Sequence, residues 1–340
     1  MKNHTNIKGL QPLFGTIVLY AVIMILHKFN IIDSYILQVI MFVGVNMIMT
    51  LSLNIATGIA GQACLGHAGF MSLGAYGSAI VTSLIFKGYA VPKEFQIPVF
   101  LLGLLAGGLI AALFGLIIGF PTLKIKGDYL AIVTLAFGEV VRATLRLIEP
   151  LGAARGMINI PMYSNLAWIM VFLVITLFVS RNFIYSSYGR ACLAVRENEI
   201  AASAMAVNIA HYKILAFVFA AFIAGVAGGL YAHIVSFIQP DTFSFAKSSD
   251  YVVYLYAGGC GTLTGSMVGA LILTALPEAL RFLDKWRIVL YALILLCVMI
   301  FRPKGLCGGK ELPFLRLERK QLYAASEGRN AKTKETEERT

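Results

Sequence analysis

Long apolar runs separated by short polar breaks fill almost the whole chain, covering 12–29, 34–57, 58–86, 97–119, 129–148, 165–180, 214–237, 251–280 and 288–301. Most reach or exceed the ~20 residues an α-helix needs to cross ~30 Å of hydrocarbon. The pattern predicts an all-α fold, a polytopic transmembrane helical bundle. The first run ends in His27-Lys28-Phe29-Asn30 with no small-residue cleavage site. It therefore reads as a retained first helix behind a polar segment, 1–11, expected in the cytoplasm.

Two stretches depart from simple crossing. Arg181 to Lys213 is polar, charged and rich in alanine, which predicts a short helix outside the hydrocarbon. The run 251–280 is interrupted by Gly258-Gly259-Cys260-Gly261-Thr262 and by Gly265. About 30 residues of helix reach ~45 Å, too short for two full crossings. With the N-terminus inside, six spans place the Arg181–Lys213 loop in the cytoplasm. The basic tail 302–340 is expected there too, because Lys and Arg mark the inner side. Three single crossings after the loop would leave that tail outside. The run 251–280 is therefore predicted to be re-entrant: it enters from the outer face as a half-helix, turns at its glycines and returns. Such a turn is tolerated only where protein or a wet cavity satisfies the freed backbone groups. Gly258, Gly259 and Gly261 are accordingly expected at or near a solute path.

Composition agrees with lipid as the main solvent. Of 340 residues, 59% are hydrophobic and only 13% charged, against about 25% charged in soluble domains. The 32 glycines suit close helix contacts and helix breaks. A net charge of +11 forms no stripe on a polar face, so it reports topology and predicts no nucleic-acid partner. The five cysteines lack a paired metal spacing and read as packing residues or incidental thiols, and no metal or cofactor is expected.

Three polar constellations stand out. Thr57 to Phe70 holds Gly61, Gln62, Gly66 and His67 at membrane depth, where a polar side chain must be paired or face water. One reading is a broken helix lining the route of a solute; the other is that His67 bonds a backbone carbonyl and the glycines allow tight packing. Glu139 and Arg142 lie one turn apart, with Arg146 following, and read first as a structural ion pair. In the loop, the alanines favour helix, Arg196 precedes Glu197 and Glu199 at its N-terminal end, and Asn198 is placed to cap it. A short helix with a small apolar face suits a groove on a soluble partner.

From about Leu53 to Leu306 the chain resembles the permease subunits of ATP-binding-cassette importers for branched-chain amino acids, in particular the LivM type. The resemblance is carried by Gly61-Gln62 with Leu65-Gly66-His67-Ala68, Gly127-Asp128-Tyr129-Leu130, the alanine-rich loop, Tyr212-Lys213 to Tyr231-Ala232, Gly258-Gly259 to Gly265, and Phe301-Arg302-Pro303-Lys304-Gly305-Leu306. It implies a membrane domain over 12–301 in a bacterial cytoplasmic membrane. The loop, about 182–212, becomes a coupling segment seated in a nucleotide-binding subunit, with Glu199, Ala201 and Ala202 in that role. The implied partners are a second permease subunit, two ATP-binding subunits and an extracytoplasmic solute-binding protein, all within membrane lipid. Two positions depart from the family: Ala206 stands where a glycine is usual, and Leu151 to Met157 lacks the usual twin-glycine pattern. Related subunits also serve other amino acids, urea or short amides. No Gly-x-x-x-x-Gly-Lys-Ser/Thr phosphate loop occurs in the sequence, so ATP is expected to be hydrolysed on another chain. A membrane-embedded enzyme would draw on His67, Asp128 and Glu139, but no ligand or nucleophile–base spacing links them. A stand-alone carrier fits the hydropathy, and the alanine-rich loop is what separates it from the importer.

Overall fold

The computed structural model describes residues 33–85, 95–122, 129–302, 305–307 and 311. The N-terminal segment and first span (1–29), Asp128, and 312–340 of the expected tail lie outside the described residues. The elements are α1 (Ser34–Leu53), α2 (His67–Ala79), α3 (Gln96–Thr122), α4 (Tyr129–Leu147), α5 (Leu166–Tyr185), α6 (Ser187–Glu197), α7 (Glu199–Ala204), α8 (Ile209–Val235), α9 (Phe245–Gly258), α10 (Leu263–Ala279) and α11 (Arg287–Phe301). π-Helical turns extend α1 over Asn54–Ile59 and α2 over Ile80–Ile85. Four of these helices, counting α1 with its π turn, are long and apolar enough to cross a membrane. The outward row Leu102, Leu105, Leu109, Leu113 and Leu116 of α3 is exposed, as befits a lipid-covered face. The molecule is membrane-embedded.

Small residues set the centre. Gly103, Gly107, Ala111 and Gly115 recur every four residues on the buried face of α3, which lets α2, α3 and α8 approach backbone to backbone. A Cβ at Gly74 would overlap the backbone of Gly225; one at Gly225 would come within 2.6 Å of Ala111 Cβ and 2.9 Å of Gly108 Cα. Helix α1 packs beside this trio and α10 runs antiparallel to it. Asn54 Nδ2 donates to the Thr262 carbonyl (3.2 Å), Asn46 Nδ2 to Thr274 Oγ1 (3.1 Å) and Tyr35 Oη to Glu278 Oε2 (2.5 Å). Helix α11 buries no residue and lies outermost.

Two helices start part-way along the bundle. Gly61 to Gly66 is non-helical and leads into α2, whose first residue, His67, shares Ser52 with the Ala220 carbonyl in the middle of α8. Helix α9 begins beside it, with Ser248 Oγ accepting from Ala68 N at 2.9 Å. From there α9 runs to the end of the bundle that carries α6 and α7, turns at Gly259 to Thr262, and α10 returns. The hairpin read from the glycines is therefore present. Its turn lies at the α6–α7 end, not half-way through. At about 1.5 Å per residue, the 14 residues of α9 and 17 of α10 give roughly 21 and 26 Å.

The loop also differs from its sequence reading. Helix α5 continues past Arg181 to Tyr185, and what read as one alanine-rich helix is two, divided at Asn198. The described part of the segment after α11 is packed on the glycine turn, Leu306 N donating to the Ala257 carbonyl (2.8 Å) and Cys307 N to the Gly258 carbonyl (3.2 Å).

Candidate functional site

Helix α7 is short but well begun. Asn198 caps it, its Oδ1 accepting from Ala201 N at 3.0 Å, and Glu199 stands in its first turn, where the helix dipole favours an anion. Glu199 also pairs with Lys213 at the start of α8, closing the loop on itself. Ala202 is buried, while Ala201 faces outward and Ile200 and Met205 are 84% and 79% exposed. Glu197 does not share this first turn: it ends α6, where Oε1 accepts from Arg196 Nε (3.2 Å) and Nη2 (2.5 Å). Cys192 on α6 is an inert packing thiol, pushed up to about 11 by burial.

Arg196 touches the bundle as well. Its Nη1 donates to the Gly58 carbonyl at 2.5 Å, and its side-chain stem occupies the space a Cβ on Gly61 would need, 2.6 Å from Cγ. Gly61 and Gly261 hold φ of +70° and +85°, a region open to glycine at no steric cost. Asn54 Oδ1 accepts from Gly261 N at 2.9 Å. Gly61, Gly261 and Arg196 are thus brought together at one end of the bundle. Gly258 serves a different purpose, since a Cβ there would overlap Gly265 of α10. Gly259, with φ +132°, makes the bend itself. Glu311 Oε1 accepts from Leu263 N at 2.9 Å, capping α10, while burial pushes its carboxyl upward.

The remaining candidates lie deeper. A Cβ at Gly66 would overlap the Thr134 carbonyl, so this glycine is required by helix contact. His67 is buried, with Nε2 2.9 Å from Ser52 Oγ and Nδ1 4.0 Å from Cys64 Sγ. Its partner is thus the Ser52 hydroxyl and not the backbone carbonyl expected in the packing alternative. Gln62 is the opposite case: it is 3% exposed, and neither its Oε1 nor its Nε2 finds a partner among the described residues.

Glu139 and Arg142 form the expected ion pair. The sequence did not reveal its third member, Asp241, which lies 3.7 Å from Arg142 Nη1 and pairs with Arg146. Glu139 Oε1 also accepts from Phe245 N at 3.3 Å, tying α4 to the first residue of α9. A separation of about a hundred residues left no local signal for these contacts. No group of residues suited to a metal ion occurs among the described residues.

Known proteins resemble this chain over most of its length. Residues 35–301 match the family described as branched-chain amino acid transport system / permease component. The chain belongs to this family. The permease is 30% identical over 320 residues to the high-affinity branched-chain amino acid transport system permease protein LivM of Escherichia coli K12, covering 84% of this chain and 72% of that one. The LivM protein of Salmonella typhimurium LT2 matches at the same identity and coverage. LivH of Escherichia coli K12, another permease protein of such a system, is 33% identical over 151 residues, 43% of this chain and 47% of its own. No solved structure gives a significant match.

Ala206, and Ala153 within Leu151 to Met157, both hold a left-handed backbone. Ala206 and Ala153 have φ of +58° and +47°, so the left-handed turns are made by alanine at a cost of roughly 1–2 kcal/mol each. Ala206→Gly relieves that strain but adds freedom to the unfolded chain, ~0.4–1 kcal/mol, so the net gain lies between about 0 and 1.6 kcal/mol. Ala206→Val puts a β-branched side chain into the same region. The expected order of thermal midpoints in detergent is glycine at or slightly above alanine, with valine clearly below. A valine midpoint equal to that of the wild type contradicts the left-handed turn.

Proposed function

We propose that this permease carries branched-chain amino acids across the bacterial cytoplasmic membrane as the LivM-type subunit of an ATP-binding-cassette importer. It works with a second permease, two ATP-binding subunits that hydrolyse the nucleotide, and an extracytoplasmic protein that delivers the solute. The substrate class rests on the names of its relatives. The observation that carries the subunit role is α7, a capped helix standing off the bundle with Ile200 and Met205 uncovered, the kind of apolar face that seats in a groove on a soluble partner. In this reading the α6–α7 end is cytoplasmic, and so are the residues following α11 packed beside it.

Gln62 is the strongest candidate for a residue on the path. A buried amide with no partner costs about 1–3 kcal/mol per group, and a passing solute or water offers the missing bonds. The nearby glycine breaks provide backbone partners without a trapping charge, which a site that must release its cargo requires. ATP-driven closure of the ATPases would move α6 and α7 and rock the two permeases between their two openings.

The test is purification in mild detergent after expression with its genetic neighbours. An ATP-binding protein should co-purify, and the reconstituted complex with its solute-binding protein should accumulate leucine only with ATP. Leucine transport by this chain alone, without nucleotide, identifies a stand-alone carrier instead.

A further inference from the structure

Two separate pieces of chain, 54–61 and the α9–α10 turn, converge on Arg196. One edge of its guanidinium, Nε and Nη2, is held by Glu197 on the same helix. On the other side, Nη1 donates to the Gly58 carbonyl, in the π turn that ends α1. The same Nη1 lies 3.2 Å from where a Cβ on Gly261 would stand, in the α9–α10 turn. Asn54 locks those two pieces to each other through Gly261 N and the Thr262 carbonyl. The stem of Arg196 lies against Gly61, the first residue of the non-helical lead into α2. One side chain from the loop therefore bears on the ends of α1 and α9, the start of α10 and the entry to α2.

The geometry points to Arg196 as the positioning residue that converts movement of α6 and α7 into movement of the broken helices. This rests on the coupling role proposed for the loop, and adds to it the point at which force enters the bundle. Arginine suits the task because its planar fork serves two acceptors at once in fixed directions, whereas a lysine ammonium is a point charge on a flexible stem. The glycines complete the joint: side chains at Gly61 or Gly261 would push Arg196 off the Gly58 carbonyl, and both positions hold left-handed backbone. Ala257 and Gly258, at the α9 end of the same turn, accept from Leu306 and Cys307. The hairpin tip is thus also held by these two bonds, and displacement of Arg196 is passed along α9 and α10 instead of being absorbed by a loose loop.

The experiment measures leucine uptake and ATP hydrolysis in the same proteoliposomes holding the complete complex with its solute-binding protein. For Arg196→Lys, the complex assembles and hydrolyses ATP, but leucine moved per ATP falls about tenfold, within the range expected when a coupling contact is cut. An unchanged ratio overturns the inference. Loss of the ATPase subunits from the complex also overturns it, since Arg196 would then serve docking and not transmission. If Arg196→Lys does not accumulate, Glu197→Ala carries the test. That residue is exposed and holds only the outer edge of the guanidinium, so the ratio should fall about threefold; no fall counts against the joint. A wild-type complex with no ATP-driven uptake is a different result, and it removes the proposed function itself.

Discussion

Gly74→Val is expected to leave no folded permease in detergent extracts of the membrane. A Cβ at this position overlaps the Gly225 carbonyl and Cα, and the neighbouring Gly107 abuts the Gly74 backbone in turn. These obstacles are main-chain atoms of two long helices, so no flexible side chain can swing aside. The axes of α2 and α8 must separate, and α3 with them, since the three share one seam of glycine and alanine. In lipid no water is expelled when helices meet, and association depends on packing and interhelical hydrogen bonds. Overpacking a well-filled core costs about 1–3 kcal/mol. Opening a backbone-to-backbone seam along three helices costs several times that, comparable with the ~5–15 kcal/mol that holds a typical protein together. Fluorescence-detected size exclusion should show aggregate in place of the monodisperse peak. Leu109→Ala, on the lipid-facing side of α3 with 62% exposure, should elute as wild type. A monodisperse Gly74→Val protein with an unchanged melting midpoint would mean that the seam is not the core.

The two substitutions also mark what the sequence makes legible. Hydropathy placed the described membrane helices, because a span is a local property: about 20 apolar residues are needed whatever their neighbours. The broken run 251–280 was legible for the same reason, its glycines standing where a helix cannot continue and its length falling short of two crossings. Asn198 as a cap and Glu139 with Arg142 were legible because both act within a single turn. Depth and long-range partners were not. Nothing in 58–70 distinguishes His67, satisfied by Ser52 fifteen residues earlier, from Gln62, left without a partner; both are simply polar residues among glycines. The place of the hairpin turn beside Arg196 depends on where α6 lies, and that is fixed by packing over more than a hundred residues. Ala206 and Ala153 show the converse: both hold a left-handed backbone, and an alanine gives no local sign of such a turn.

Glu199→Lys is expected to reduce leucine uptake to background while the amount of permease in the membrane is unchanged. The two halves of that outcome follow from different magnitudes. The Glu199–Lys213 pair is half exposed, and surface pairs of this kind contribute ~0–1 kcal/mol. Its loss does not threaten a bundle whose core lies among α2, α3 and α8. Locally the change is much larger. Two lysines then face each other across the base of the loop, and the first turn of α7, whose positive dipole end now carries an anion, receives a cation instead. A helix of six residues has little cooperative stability of its own, so its hold on position depends on Asn198 and Glu199. With Glu199 reversed, Ile200 and Met205 lose the fixed presentation that docking into a partner demands. Glu199→Gln, which keeps the shape and removes the repulsion, should retain a substantial part of the uptake. The repulsion from Lys213 can be relieved in the double variant Glu199→Lys with Lys213→Glu, which restores the pair but not the anion at the helix start, and uptake there should be intermediate. Full uptake in Glu199→Lys alone would take α7 out of the coupling role, because its presentation would then not depend on the anion in its first turn.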